Sequence, residues 1–141
     1  MRLRLLITGA AGFIGSNFVR HWTSQRPDDH IVAFDLLTYA GNEPNLSDVR
    51  DRVTFVQGDI GEQGQVEKVL ESEEVDTIVN FAAESHNSYA ILDPAVFFRT
   101  NTMGTQALLE AARRHKIGRF HHISTCEVYG DLPLDTDEMF T

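Results

Sequence analysis

The sequence predicts an α/β fold built on a doubly wound parallel sheet, and three observations carry that prediction. Short apolar runs of strand length alternate with segments whose apolar residues recur every three to four positions. The runs are nearly continuous, as in strands covered on both faces. A turn containing three glycines separates the first run from the first helical segment.

The elements follow in order. Leu3, Leu5, Leu6 and Ile7 form a first strand, and Ile14, Phe18 and Trp22 mark one face of a helix. That helix is expected to end near Gln25, because Arg26 precedes Pro27 and a residue before proline disfavours the α region. Ile31 to Phe34 make a second buried strand. The polar stretch from Thr38 to Ser47 reads as a functional loop or lid, longer than most connections. Val53 to Val56 predict a third strand, Val66, Val69 and Leu70 the inner face of a short helix, and Val75 to Phe81 a fourth strand. Asp93 before Pro94 predicts an N-cap with proline at the first helical position. The helix it opens is expected to run to about His115, with Phe97, Leu108 and Ala111 along it, for about 30 Å at 1.5 Å per residue. Arg119 to Thr125 complete the set as a fifth strand.

A chain of 141 residues, 42% hydrophobic and 23% charged, has the apolar material for one globular domain, and no internal repeat or charge block divides it. Twelve Lys and Arg against twenty-one Asp and Glu give a net charge of −9, which repels nucleic acid and anionic membranes. One cysteine makes no internal disulfide, and no apolar run approaches the roughly 18 residues of a membrane span. Met-Arg-Leu-Arg resembles a signal n-region, but the apolar run behind it stops at Ile7. A cytoplasmic setting is the expectation.

Gly9, Gly12 and Gly15 stand at three-residue spacing between the first strand and the first helix. One permits a tight turn, the next lets a pyrophosphate approach the backbone, and the last lets helix and strand pack closely. The helix N-terminus, with Phe13 and Ile14 in its first turn, offers free N–H groups to the phosphates. Asp35 follows at the end of the second strand, twenty residues after Gly15, where a carboxylate accepts ribose hydroxyls and repels a 2′-phosphate. NAD is therefore expected over NADP, with no metal.

The Gly-x-x-Gly-x-x-Gly spacing resembles the extended short-chain dehydrogenase/reductases, a Rossmann-like superfamily. Gly58-Asp59-Ile60, Ala82-Ala83-Glu84-Ser85-His86, Thr100-Asn101 with Gly104-Thr105, and Ser124-Thr125-Cys126-Glu127-Val128-Tyr129-Gly130 are similar to its nucleotide-sugar branch in order and spacing. Asp35-Leu36-Leu37-Thr38-Tyr39-Ala40-Gly41-Asn42 is narrower, and resembles the nucleotide-sugar 4,6-dehydratases of the dTDP-glucose type. The resemblance covers essentially the whole chain. It implies that Asp59 and Ile60 border an adenine, that Ala82, Ala83 and Ser85 line the dinucleotide, and that Thr100 reaches it from the long helix. Read from the residues alone, Asp59 caps a helix starting near Gly61, Thr100 is a helix-surface hydroxyl, and His86 is either a substrate contact or a satisfied loop histidine.

The reaction implied is C4 oxidation of the sugar by NAD, loss of water across C5 and C6, and reduction at C6. Thr125 would hold the C4 hydroxyl and Glu127 would take the C5 proton. Ser85 and His86 join Thr125 on the substrate side. Resembling dehydratases carry Asp-Glu where this chain has Cys126-Glu127. A thiol, ordinarily titrating near 8.5, still carries a proton at neutral pH, although it donates weakly. The alternative for Cys126 is a buried small hydrophobe. Asn87-Ser88-Tyr89 replaces the Val-Asp-Arg of glucose-specific members, so a dTDP- or UDP-linked hexose of another kind is compatible.

The superfamily's Tyr-x-x-x-Lys does not occur, since Tyr39, Tyr89 and Tyr129 are followed four positions later by Glu43, Asp93 and Pro133. Residues 1–141 therefore read as the NAD-binding N-terminal portion of a longer enzyme, a sheet incomplete at its C-terminal end, inactive alone. Other readings are a 4-epimerase or decarboxylase of the same branch, a 5,6-dehydratase leaving an alkene, and a non-catalytic NAD-binding fragment. Apolar residues on two faces of the long helix, Phe97 and Phe98 and then Leu108 and Leu109, lead to the expectation of a homodimer.

Overall fold

The computed structural model describes residues 2–130, apart from the side chain of Asn87. Five strands form one parallel sheet in the order β3-β2-β1-β4-β5: β1 (Arg4–Thr8), β2 (His30–Asp35), β3 (Thr54–Gln57), β4 (Thr77–Asn80) and β5 (Arg119–His122). The chain builds outward from β1 through β2 to β3, then returns to the other side of β1 with β4. That reversal puts a topological switch point beyond the carboxyl ends of β1 and β4.

The two-residue period of the strands divides the core between the two faces of the sheet. Leu5, Ile7, Ile31, Ala33 and Val79 pack with Val19 of α1 (Phe13–Gln25). Leu6, Val32, Phe34 and Ile78 point the other way, onto Val66 and Leu70 of α2 (Gln63–Ser72) and Leu108 and Ala111 of α5 (Thr105–Arg114). Each large side chain so buried contributes about 1.5–3 kcal/mol. Helix α1 stops where Pro27 requires, because Arg26 leaves the helical region while its N–H still reaches the Trp22 carbonyl at 2.8 Å.

Several elements differ from the sequence reading. The stretch expected as a loop from Thr38 to Ser47 runs into a 3₁₀ segment, Glu43–Arg52, that buries Leu46 and Val49. Their three-residue spacing matches the 3₁₀ repeat and puts both on the α1 face of the core. The long helix is segmented into α4 (Pro94–Phe97), a π segment (Phe98–Gly104) and α5, and an unforeseen α3 (Asn87–Leu92) precedes it. Backbone angles stay helical through Phe98 and Gly104, so the axis continues across the π segment. Asp93 occupies the N-cap position without a side-chain cap hydrogen bond.

Apolar cover on both faces holds for β1, β2 and β4 but not for the edge strands. β3 is half-buried, and β5 exposes Arg119, His121 and His122 and ends at His122, short of Thr125. On the long helix Leu108 is buried in the core, whereas Phe98 and Leu109 are exposed. Among the described residues no helix is long and apolar enough to cross a membrane.

Candidate functional site

A crevice opens beyond the carboxyl ends of β1, β2 and β4. Seven of the residues singled out in the sequence line it: Gly9, Asp35, Asp59, Ile60, Ala82, Ala83 and Thr100. Thr38, Ala40, Gly41 and Glu84 line it as well.

Of the glycine turn, Gly9 lines the crevice, and Gly12, Phe13, Ile14 and Gly15 lie outside the lining. Gly9 has φ +63°, and a Cβ there would lie 2.7 Å from the Ala82 nitrogen and the Phe81 carbonyl carbon, so only glycine lets β1 turn this close to β4. A Cβ on Gly15 would run into the Gly9 carbonyl oxygen, the close packing expected of the third glycine. At Gly12 a Cβ would meet the Gly9 carbonyl oxygen at 3.3 Å and little else, which leaves room above the turn. Gly12 caps α1 without a side-chain hydrogen bond, and Phe13 and Ile14 behind it are exposed. The first-turn amides of α1 thus remain available to an anion.

Asp35 is 93% buried by its neighbours, with 7% of its surface exposed, and its carboxylate works on the protein itself. Its Oδ2 accepts the Ala11 N–H at 2.9 Å and its Oδ1 accepts the Leu37 N–H at 2.8 Å. The first bond ties β2 to the glycine turn. The second holds Leu37 in the left-handed region, at φ 59°. A carboxylate offers about four lone-pair positions, so acceptor capacity remains toward the crevice. Open amides beside a carboxylate of this kind can hold a diphosphate next to a vicinal diol.

Asp59 does not cap α2, which begins at Gln63. Its Oδ1 accepts the Gly61 N–H at 2.8 Å, closing a local turn, and Arg99 reaches its Oδ2 at 3.2 Å. Thr100 lies in the π segment and forms part of the crevice lining. Ser85 and His86 are exposed and lie outside the lining, and the His86 ring sits 4.9 Å from that of Tyr89.

Thr125, Cys126 and Glu127 lie beyond β5, also outside the crevice lining. Thr125 Oγ1 accepts the Glu127 N–H at 3.2 Å and so caps a 3₁₀ turn, Cys126–Tyr129. A hydroxyl that accepts here still has its own proton to donate. Cys126 is exposed among the described residues.

Sequence reasoning passed over two groups. Thr8, Asn80 and His122 form a polar chain under the site, and Asn80, a fully buried amide at the end of β4, is the residue that could have signalled it. Tyr39, Glu84 and Asn101 join three segments around the crevice. Partial desolvation first, and then the acceptor and charge of Glu84, push the Tyr39 phenol above its ordinary value of 10.0.

The family described as GDP-mannose 4,6 dehydratase matches residues 6–139. A dTDP-glucose 4,6-dehydratase of Mycobacterium tuberculosis is 50% identical over 139 residues, 99% of this chain and 41% of the relative. One from Salmonella typhimurium is 46% identical, over 93% of this chain and 39% of its own length. The chain thus spans about two-fifths of the curated relatives it matches. The crystal structure of DesIV, a dTDP-glucose 4,6-dehydratase from Streptomyces venezuelae with NAD and TYD bound, superposes with a TM-score of 0.87 at 47% identity, covering 93% of this chain and 42% of that one. A UDP-glucose 4-epimerase from Brucella ovis in complex with NAD gives 0.81 at 32%, over 92% of this chain and 38% of that one.

Proposed function

The chain belongs to the GDP-mannose 4,6-dehydratase family, and on that premise we propose that residues 1–141 are the NAD-binding portion of a longer nucleotide-sugar 4,6-dehydratase acting on a dTDP- or UDP-hexose. The observation that carries the reading is the convergence of Gly9, Asp35, Asp59, Ala82 and Thr100 on one crevice at the switch point of the sheet.

The amides around Gly12, Phe13, Ile14 and Gly15 hold the pyrophosphate, and Gly9 keeps the turn low enough to admit it. Asp35 uses its remaining lone pairs on the ribose diol and repels a 2′-phosphate. Asp59 and Ile60 border the adenine. Ala82, Ala83, Ser85 and Thr100 line the rest. Bound NAD supplies the electron-pair acceptor for oxidation at C4 and the reductant for C6. Thr125 orients the C4 hydroxyl, with Ser85 and His86 on the same substrate. Glu127 takes the C5 proton as general base. Cys126 stands where the departing C6 hydroxyl needs a proton.

This portion lacks the Tyr-x-x-x-Lys pair and so is inactive alone. Exposed Phe98 and Leu109 support a homodimer through the long helix. Light scattering of the full-length protein that reports a monomer at high concentration removes that part.

A 4-epimerase of the same branch is the second reading, favoured by the likeness to the Brucella ovis enzyme. Full-length protein incubated with dTDP-glucose and with a UDP-N-acetylhexosamine separates the readings by proton NMR and mass spectra of the product. A 4-keto-6-deoxy sugar is expected. A 4-epimer supports the second reading, a 5,6-alkene an altered route, and NAD binding without turnover a binding module.

A further inference from the structure

Tyr39 and Glu84 come from different loops and meet over the same turn. Tyr39 follows β2 and Glu84 follows β4, and these are the two strands that flank β1. All three run parallel, so both loops leave the sheet on the side where the glycine turn follows β1. The phenol of Tyr39 donates to Glu84 Oε2 at 3.1 Å. The bond joins loops whose parent strands lie two strand spacings apart, about 10 Å of sheet, on either side of β1 and the glycine turn that follows it. Thr38 and Ala40 on either side of Tyr39 line the crevice, as does Glu84.

Both ends of the link are braced. The Asn101 side chain pairs with the Glu84 backbone in both directions: its Oδ1 accepts the Glu84 N–H and its Nδ2 donates to the Glu84 carbonyl, each at 2.8 Å. Asn101 belongs to the π segment beside Thr100, and π segments often mark functional positions in helices. At the other end, the Tyr39 ring meets Tyr89 edge-on, with centroids 5.2 Å apart, and Tyr89 in turn leans on His86. Tyr89 is one of the residues in which this chain departs from the glucose-specific pattern.

We propose that the Tyr39–Glu84 hydrogen bond is a strap that retains the dinucleotide by closing the crevice above the glycine turn, with Asn101 as the residue that positions it. The proposal rests on the NAD-binding reading above. A dinucleotide lying from the Asp35 side to the Ala82 side must cross β1, and it leaves only when the two loops part. The strap therefore acts on escape more than on entry. The Tyr39 phenol, held above its ordinary value of 10.0 by desolvation and by Glu84, stays protonated and donating through the neutral range.

The test uses the full-length protein and NAD as the probe, and follows NAD association and release by stopped flow after calorimetry has established binding. Tyr39→Phe and Glu84→Ala should each raise the NAD release rate about three- to tenfold, the scale of one net hydrogen bond, with association changed less than about twofold. Glu84→Gln retains an acceptor and should release NAD close to the unsubstituted rate. The Tyr39→Phe/Glu84→Ala double variant should be no faster than the faster single one, because both remove the same bond. Asn101→Ala should release NAD faster, with a lower kcat/KM only in proportion to lost NAD. The NAD-free melting temperature should stay put in Tyr39→Phe, and Glu84→Gln against Glu84→Ala decides the matter if that variant fails to fold. Unchanged release from both Tyr39→Phe and Glu84→Ala overturns the strap while leaving the NAD-binding reading in place. A lack of NAD binding by the unsubstituted protein overturns both.

Discussion

Asn80 stands between Thr8 and His122: its Oδ1 accepts the Thr8 hydroxyl, and its Nδ2 lies 3.0 Å from His122 Nδ1. With Oδ1 occupied, Nδ2 is the donor toward the His122 ring. Thr8 Oγ1 also accepts the Ala82 N–H at 3.4 Å. One fully buried amide thereby links the crevice-lining backbone at Ala82 to the end of β5, three residues before Thr125.

Removing that amide should therefore cost more than its size implies. Asn80→Ala leaves the buried Thr8 hydroxyl without its acceptor and removes the link to His122, for a loss of about 1–3 kcal/mol. Asn80→Leu, which fills the volume without the hydrogen bonds, should be no better. Denaturant unfolding with an unchanged slope measures both, and a loss under about 0.5 kcal/mol would falsify the assignment.

Two glycines in helices should respond in opposite ways to alanine. Gly15→Ala puts a methyl into the Gly9 carbonyl oxygen, backbone that cannot yield without opening the turn, so the melting temperature and NAD affinity should both fall. Gly64, in α2, has nothing within 4 Å of its Cβ position. Gly64→Ala should stabilise by about 0.5–1 kcal/mol. Thermal unfolding of the pair reads the contrast, and equal shifts would contradict the packing described for Gly15.

Asp35 should show both of its duties. Calorimetric titration should find NAD bound at least about tenfold more tightly than NADP, because a 2′-phosphate would face the carboxylate. Asp35→Ala should weaken NAD binding and also destabilise the NAD-free protein, by about 1–3 kcal/mol for each of the Ala11 and Leu37 amides it orphans. A variant that loses affinity with unaltered stability would mean those two bonds hold nothing.

The chemistry beyond β5 can be read separately at Glu127 and Cys126. In the full-length protein Glu127→Gln should cut solvent deuterium exchange at C5 by roughly the 10²–10⁴-fold typical of a positioned base, with C4 oxidation preserved. Cys126→Asp places a carboxyl at a position that residues 2–130 leave exposed. Turnover should be retained or rise. Unchanged exchange in Glu127→Gln removes that residue from the mechanism, and a folded but slower Cys126→Asp removes the acid role from position 126.

Local chemistry was enough to determine the strands, their parallel pairing, the end of α1 and the glycine turn with Asp35, because each depends on apolar period, a proline or a missing Cβ within a few neighbouring residues. The same local rules missed the 3₁₀ segment behind Thr38 and the π segment inside the long helix, where burial of Leu46 and Val49 and the approach of Gly104 to Ile60 outweigh intrinsic preference. Tertiary structure alone decided which polar side chains meet. Tyr39 and Glu84 are 45 residues apart in the chain, and Thr8 and Asn80 are 72 apart. Neither pair leaves a periodic trace, since a hydrogen bond needs two groups within about 3 Å, and only the order of strands around β1 brings these loops and strand ends that close.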